Sequence, residues 1–220
     1  MARAVRAARV GLLAALALCA FAAPAQGYDA RRLAQQAALA GPRALAAVEE
    51  LQVLLGELHA QGAAAQLAAI NRFFNRHISF ATDQQVWHQD DYWASPLQSL
   101  EQGAGDCEDY AIAKYFGLLA VGMPVSRLRL VYVRARLDDG RSQAHMVLAY
   151  YPPAGDEVLV LDNLVPSVLP ASRRPDLRPV FSFNSEGLWM GAGATTAGNP
   201  VTRLSRWREV LARARAEGFT

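Results

Sequence analysis

The sequence predicts an α+β domain in which N-terminal helices pack on an antiparallel sheet. Three observations predict it. Apolar residues recur at helical spacing through the first half of the chain. After residue 128 the pattern changes to alternation with β-branched residues. Asp138-Asp139-Gly140 then joins two such strands as a hairpin turn, which makes them antiparallel. Helices first and strands afterwards distinguish this class from a repeating βα order.

Residues 1–25 have the three parts of a secretory signal. Arg3, Arg6 and Arg9 form a positive start, residues 10–23 are almost wholly apolar, and Ala23-Pro24-Ala25 gives a small-x-small cleavage pattern. The expected cut follows Ala25, and residues 26–220 form one domain. A membrane anchor is the alternative, but the apolar run is short against the ~20 residues a span needs. Cys19 would suit a lipidated cysteine, except that Leu18 stands where a small residue is expected. Nothing later in the chain is long and apolar enough to span a bilayer, so the mature protein is expected free in the periplasm.

Gly41-Pro42 breaks the chain. Leu45, Val48, Leu51, Leu55 and Leu58 follow at helical spacing, and Leu67, Ile70, Phe73, Phe74 and His77 repeat the rhythm. Both segments read as amphipathic helices facing the core. Residues 83–100 are aromatic and polar, with Trp87, His88, Tyr92 and Trp93 among acids and glutamines. They read as a structured loop with a short helix from Pro96, its tryptophans serving equally as site lining or as core anchors. The run from Tyr110 to Leu119 is a buried helix ended by Gly122 and Pro124. Strands follow at 128–133, 144–151, 157–161 and 178–183, then a Gly- and Thr-rich loop at 191–200 and a last helix at 203–216.

Charge excludes one class of function. The chain carries a formal +2, and residues 1–25 hold three arginines and no acid, which leaves −1 without them. No nucleic-acid partner is expected from such a balance.

Only two cysteines occur, Cys19 in the signal and Cys107. A solitary thiol in an exported chain has no internal disulfide partner. Cys107 sits in Gly103-Ala104-Gly105-Asp106-Cys107-Glu108-Asp109-Tyr110, a glycine turn opening a helix. The positive end of a helix favours a thiolate, and the free N–H groups there suit an oxyanion. His145 lies on the second strand and Asp162 closes the third. Alone, each is as well explained as a core histidine or a turn former. In the order Cys, His, Asp on successive elements they match what a cysteine protease needs: a nucleophile, a proton shuttle and an orienting carboxylate, with Asn163 as the neighbouring alternative for the last.

Asp106, Glu108 and Asp109 oppose that chemistry, because carboxylates raise the pKa of a neighbouring thiol. A cation would reconcile the two. Oxygen donors and no second cysteine point to calcium over zinc; the alternative is that the acids cap the helix. Asp106 and Glu108 would project from different sides of a regular helix, so they share one ion only if the turn before it is irregular.

These residues resemble a known family. Trp87, Asp91-Tyr92-Trp93-Ala94-Ser95-Pro96-Leu97, Gly105-Asp106-Cys107-Glu108-Asp109-Tyr110-Ala111, Ala144-His145-Met146-Val147-Leu148 and Val160-Leu161-Asp162-Asn163 are similar to segments of the bacterial transglutaminase-like cysteine proteinases, and within them of periplasmic members that release biofilm adhesins. The likeness runs from the helix around Phe73 to Leu164. It implies a transglutaminase-like or papain-like fold, a Cys-His-Asp triad and calcium dependence. Cys107 would be the nucleophile, His145 the general base and acid, and Asp162 the orienting carboxylate. Asp106, Glu108 and Asp109 would be calcium ligands. The implied substrate is a dialanine-containing segment near the N-terminus of a large repeat-containing adhesin. The implied inhibitory partner is an inner-membrane receptor for cyclic di-GMP. Two rival functions use the same residues: acyl transfer to an amine instead of water, and a non-catalytic calcium-sensing binding module.

Overall fold

The computed structural model describes residues 27–137, 139–153 and 156–220. The signal segment, Cys19 and Asp138 of the hairpin turn lie outside the described residues. Helix α1 spans Ala30–Ala40, and the Asp29 side chain caps it by accepting from the Arg32 N–H at 3.0 Å. Helix α2 spans Pro42–Leu58, with the fixed φ of Pro42 set for its first turn. Helix α3 spans Ala63–His77. The expected apolar stripes face inward: Val48, Leu51, Leu55, Leu67, Ile70 and Phe74 are buried.

Strand β1 (Ser79–Phe80) precedes a one-turn helix α4 (Asp83–Val86). After a loop, Ser95 caps helix α5 (Pro96–Gln102), as the Pro96 signal predicts. Gly103 then takes a left-handed conformation (φ 61°) that reverses the chain into strand β2 (Ala104–Gly105). β2 pairs parallel with β1 and delivers the chain to helix α6, Cys107–Ala120. α6 is apolar nearly all round and almost wholly buried, so it is the central helix of the molecule.

The second half is a sheet. Strands β3 (Leu128–Arg136), β4 (Ser142–Tyr150), β5 (Leu159–Leu161), β6 (Leu169–Pro170), β7 (Leu177–Phe183), β8 (Leu188–Met190) and β9 (Thr196–Gly198) lie in the order β6-β5-β4-β3-β7-β8-β9, with every neighbour antiparallel. A short helix α7 (Pro200–Arg203) and helix α8 (Ser205–Glu217) end the chain. The expected α+β class is what forms, with helices on one face of the sheet. Leu128, Leu130, Met146 and Leu148 join the main core with α6, while Val131, Val133, Val147 and Val160 form a smaller cluster on the other face.

Differences from expectation sit at short elements. β1, β2, β6, β8 and β9 are two or three residues long, too short to show a period of two. The glycine-rich segment expected as a loop at 191–200 contains β9, because glycines and threonines there still pair with β8. The expected third strand at 157–161 is paired only over Leu159–Leu161. No helix among the described residues is long and apolar enough to cross a membrane.

Candidate active site

Cys107 is the first residue of α6, and Asp106 stands at its N-cap in extended backbone. The turn before them is tightly packed. A Cβ on Gly105 would come within 2.8 Å of the Asp109 Cβ, so only glycine fits there. The fully buried Asp109 accepts from the Ala94 N–H at 2.8 Å through Oδ1 and from the Asp106 N–H at 3.3 Å through Oδ2. It therefore pins the loop before α5 to the start of α6.

β4 carries His145, which is buried and opposite Val133 in the ladder. β5 stops at Leu161, and the next residue, Asp162, turns to the histidine: His145 Nε2 lies 2.8 Å from Asp162 Oδ1. The same oxygen accepts from the backbone N–H groups of Asn163 at 2.7 Å and Leu164 at 3.1 Å. Asn75 of α3 holds the Asp162 carbonyl at 3.0 Å. Cys107 and His145 line one cavity of about 910 Å³, together with Trp93, Tyr132, Asn163 and Leu164. Trp93 fills both roles weighed for the tryptophans, because it also stacks on core Phe183 with ring centroids 5.7 Å apart.

Behind Asp162 stands a residue that the sequence did not reveal. Arg174 Nη2 is 2.7 Å from Asp162 Oδ2, both side chains being almost completely buried, and the same guanidinium contacts Asp176 at 2.8 Å. Burial alone would raise the Asp162 pKa. The hydrogen bond and charge of His145, with Arg174, outweigh it and hold the carboxyl at about 2. Lys114, the sole lysine, is also buried on α6, with no hydrogen-bond partner at Nζ among the described residues. Burial lowers its pKa to about 7 against the opposing pull of Asp162.

The thiol has a different neighbour. Cys107 Sγ donates to Glu108 Oε2 at 2.9 Å. Burial raises the thiol pKa first, and the charge and hydrogen bond of Glu108 raise it further. The acids oppose one another too. Burial and then Glu108 push Asp106 up to about 9; burial, with Glu108 adding to it, pushes Asp109 up to about 8.

Asp83 and Asp91 belong to the same cluster. Single ligand atoms of Asp83, Asp106 and Asp109 lie within 4.8 Å of one another, as do those of Asp83, Asp91 and Glu108, and those of Asp106, Cys107 and Glu108. The extended backbone at Asp106 is the irregularity that lets it and Glu108 converge. Asp83 Oδ1 and Asp106 Oδ1 are buried with no hydrogen-bond partner among the described residues. Orphaned carboxylate oxygens among mutually repelling acids fit a hard cation such as calcium. Asp83 sits far from Cys107 in sequence, on a helix too short to predict, which is why sequence reasoning passed over it.

Residues 52–176 match the sequence model of the bacterial transglutaminase-like cysteine proteinases. The chain belongs to this family. It is thus a cysteine peptidase by descent, on a transglutaminase-like fold. Among solved structures, the EGTA-treated form of LapG from Legionella pneumophila is 38% identical, with a TM-score of 0.74, over 84% of this chain and 97% of its own. The calcium-bound form of the same Legionella protein is 36% identical with a TM-score of 0.72, over 84% and 98%. Curated proteins give no match. The expected family and fold class therefore hold, and a relative in this family has been seen with calcium.

Proposed function

We propose that this family member is a calcium-dependent periplasmic endopeptidase that cuts the N-terminal region of a large repeat-containing adhesin and so promotes biofilm dispersal. Residues 26–220 would be the mature domain, exported by the signal at 1–25. The hydrogen-bonded His145–Asp162 pair in the cavity that holds Cys107 carries the assignment. Asp162 occupies Nε2, which leaves Nδ1 of His145 free to exchange a proton.

In this mechanism His145 takes the Cys107 thiol proton, Sγ attacks the scissile carbonyl, and the C–N bond breaks as a thioester forms. His145 gives its proton to the leaving amine, then draws one from the water that hydrolyses the thioester. Asp162 fixes the imidazole and balances its charge while protonated. The Cys107 N–H, at the open first turn of α6, is the donor available to the oxyanion. Asp83, Asp91, Asp106, Glu108 and Asp109 would hold calcium. Its charge would offset the carboxylates that now disfavour a thiolate. An inner-membrane cyclic di-GMP receptor would bind and restrain the enzyme. The adhesin and receptor assignments rest on the resemblance of the sequence motifs around Trp93, Cys107, His145 and Asp162 to periplasmic members of the family.

Cleavage of a purified adhesin N-terminal fragment tests the proposal. Cys107→Ala should reduce cutting to background with an unchanged melting temperature, and retained cutting would exclude Cys107 as nucleophile.

A further inference from the structure

The sheet face that walls the cavity continues past it as a row of arginines. On β3, Tyr132, Arg134 and Arg136 share one face, since side chains alternate along a strand. Their ladder partners are Met146, Ala144 and Ser142 on β4, and on β7 Phe181 opposite Tyr132 and Arg178 opposite Arg134. Tyr132, Ala144 and Met146 line the cavity. Tyr132 and Phe181 stack nearly parallel, 5.1 Å between centroids. Immediately beyond this aromatic platform Arg134 directly faces Arg178, and both, with Arg136, are exposed.

Like charges directly opposite in a sheet are destabilising. Other arginines of this region have partners: Arg141 pairs with Asp139, Arg174 with Asp162 and Asp176, and Arg129 lies on the rings of Tyr151 and Trp189. Among the described residues Arg134, Arg136 and Arg178 have no ion pair. Acids line the cavity as well, at Asp90, Asp91, Asp106 and Glu108. The cavity is thus lined by acids while the surface continuing from its sheet wall is basic. Arg134 and Arg136 are about 7 Å apart along the strand, the same repeat as alternate side chains of an extended peptide.

We propose that this arginine row binds acidic side chains at alternate positions of an extended segment of the polypeptide substrate, next to the bond to be cut. The inference rests on the cavity being the cleavage site, as proposed above. It makes Arg134, Arg136 and Arg178 determinants of specificity for acidic flanking sequence. Exposed guanidinium–carboxylate contacts are individually weak and screened by salt, so the effect should appear as a salt-sensitive gain in binding.

Fluorescence anisotropy with the full-length mature protein tests it, using two labelled peptides of equal length that carry glutamate or lysine at alternate positions. The wild type should bind the glutamate peptide about tenfold more tightly at low salt, and an Arg134→Gln, Arg136→Gln, Arg178→Gln triple variant should lose that preference. With a cleavable substrate flanked by glutamates, the triple variant should raise KM while kcat stays level. Equal binding of the two peptides, or a preference that survives the triple substitution, would overturn the proposal. So would binding to phosphatidylglycerol vesicles in place of the glutamate peptide, which would make the row a membrane contact. Peptide binding is read without cleavage. Cutting by Cys107→Ala would therefore sink the proteolytic assignment while leaving this binding result standing.

Discussion

Asp162 is held from both sides, and that makes Arg174 a positioning residue with a measurable role. Its guanidinium fixes Oδ2, which leaves Oδ1 to hold His145. Breaking a buried ion pair strands its partner's charge, so Arg174→Met should lower stability by about 3 kcal/mol in chemical denaturation. It should also reduce kcat at least about tenfold with KM nearly unchanged, the usual scale for losing a supporting partner. Arg174→Lys should recover part of both, and wild-type kcat in the Met variant would show that Arg174 does not position the pair. In the sequence the Cys107 segment is distinctive, while His145 and Asp162 are weak signals alone and become candidates only through the order Cys, His, Asp. Arg174 is not legible there. It follows Arg173 in an arginine-rich chain, and only the return of the chain after β6 brings it behind Asp162.

Among the elements, α6 matters most, since it carries the thiol at one end and packs on α3 along its length. A Cβ at Gly117 would meet the Phe74 ring at 2.8 Å and Ile70 at 3.2 Å. Gly117→Val should therefore destabilise by about 1–3 kcal/mol despite being in a helix, read from the denaturation midpoint. α8 braces the entry to α5 through Glu217, which accepts from Ser95 Oγ. Burial raises the Glu217 pKa from 4.5 to about 7, partly offset by the Ser95 hydrogen bond. The stabilisation is full below pH 4.5 and is lost as pH rises through 7. Glu217→Gln should flatten the loss of stability across that window, seen as a smaller fall in melting temperature from pH 4.5 to 7.5. The long helices and strands were legible from period alone. The two- and three-residue strands were not, because tertiary pairing and not local pattern creates them.

At the scale of the whole molecule, helix α6 supplies the thiol, strand β4 the histidine and the turn after β5 the aspartate, while the acidic cluster gathers α4, the loop after it and the start of α6. A cation there would tie these segments together. Chelation should therefore lower the melting temperature, and added calcium should restore it in a concentration-dependent way. A melting temperature indifferent to both would argue that the acids only cap and brace the helix. The chemistry proposed for this site is a calcium-dependent thioester on Cys107. Rapid-quench intact-mass spectrometry of the enzyme with an adhesin fragment and calcium looks for that species. The expected result is a transient covalent adduct that maps to Cys107 and disappears with EGTA. Fragment cleavage with no adduct at Cys107, undiminished by EGTA, would contradict it.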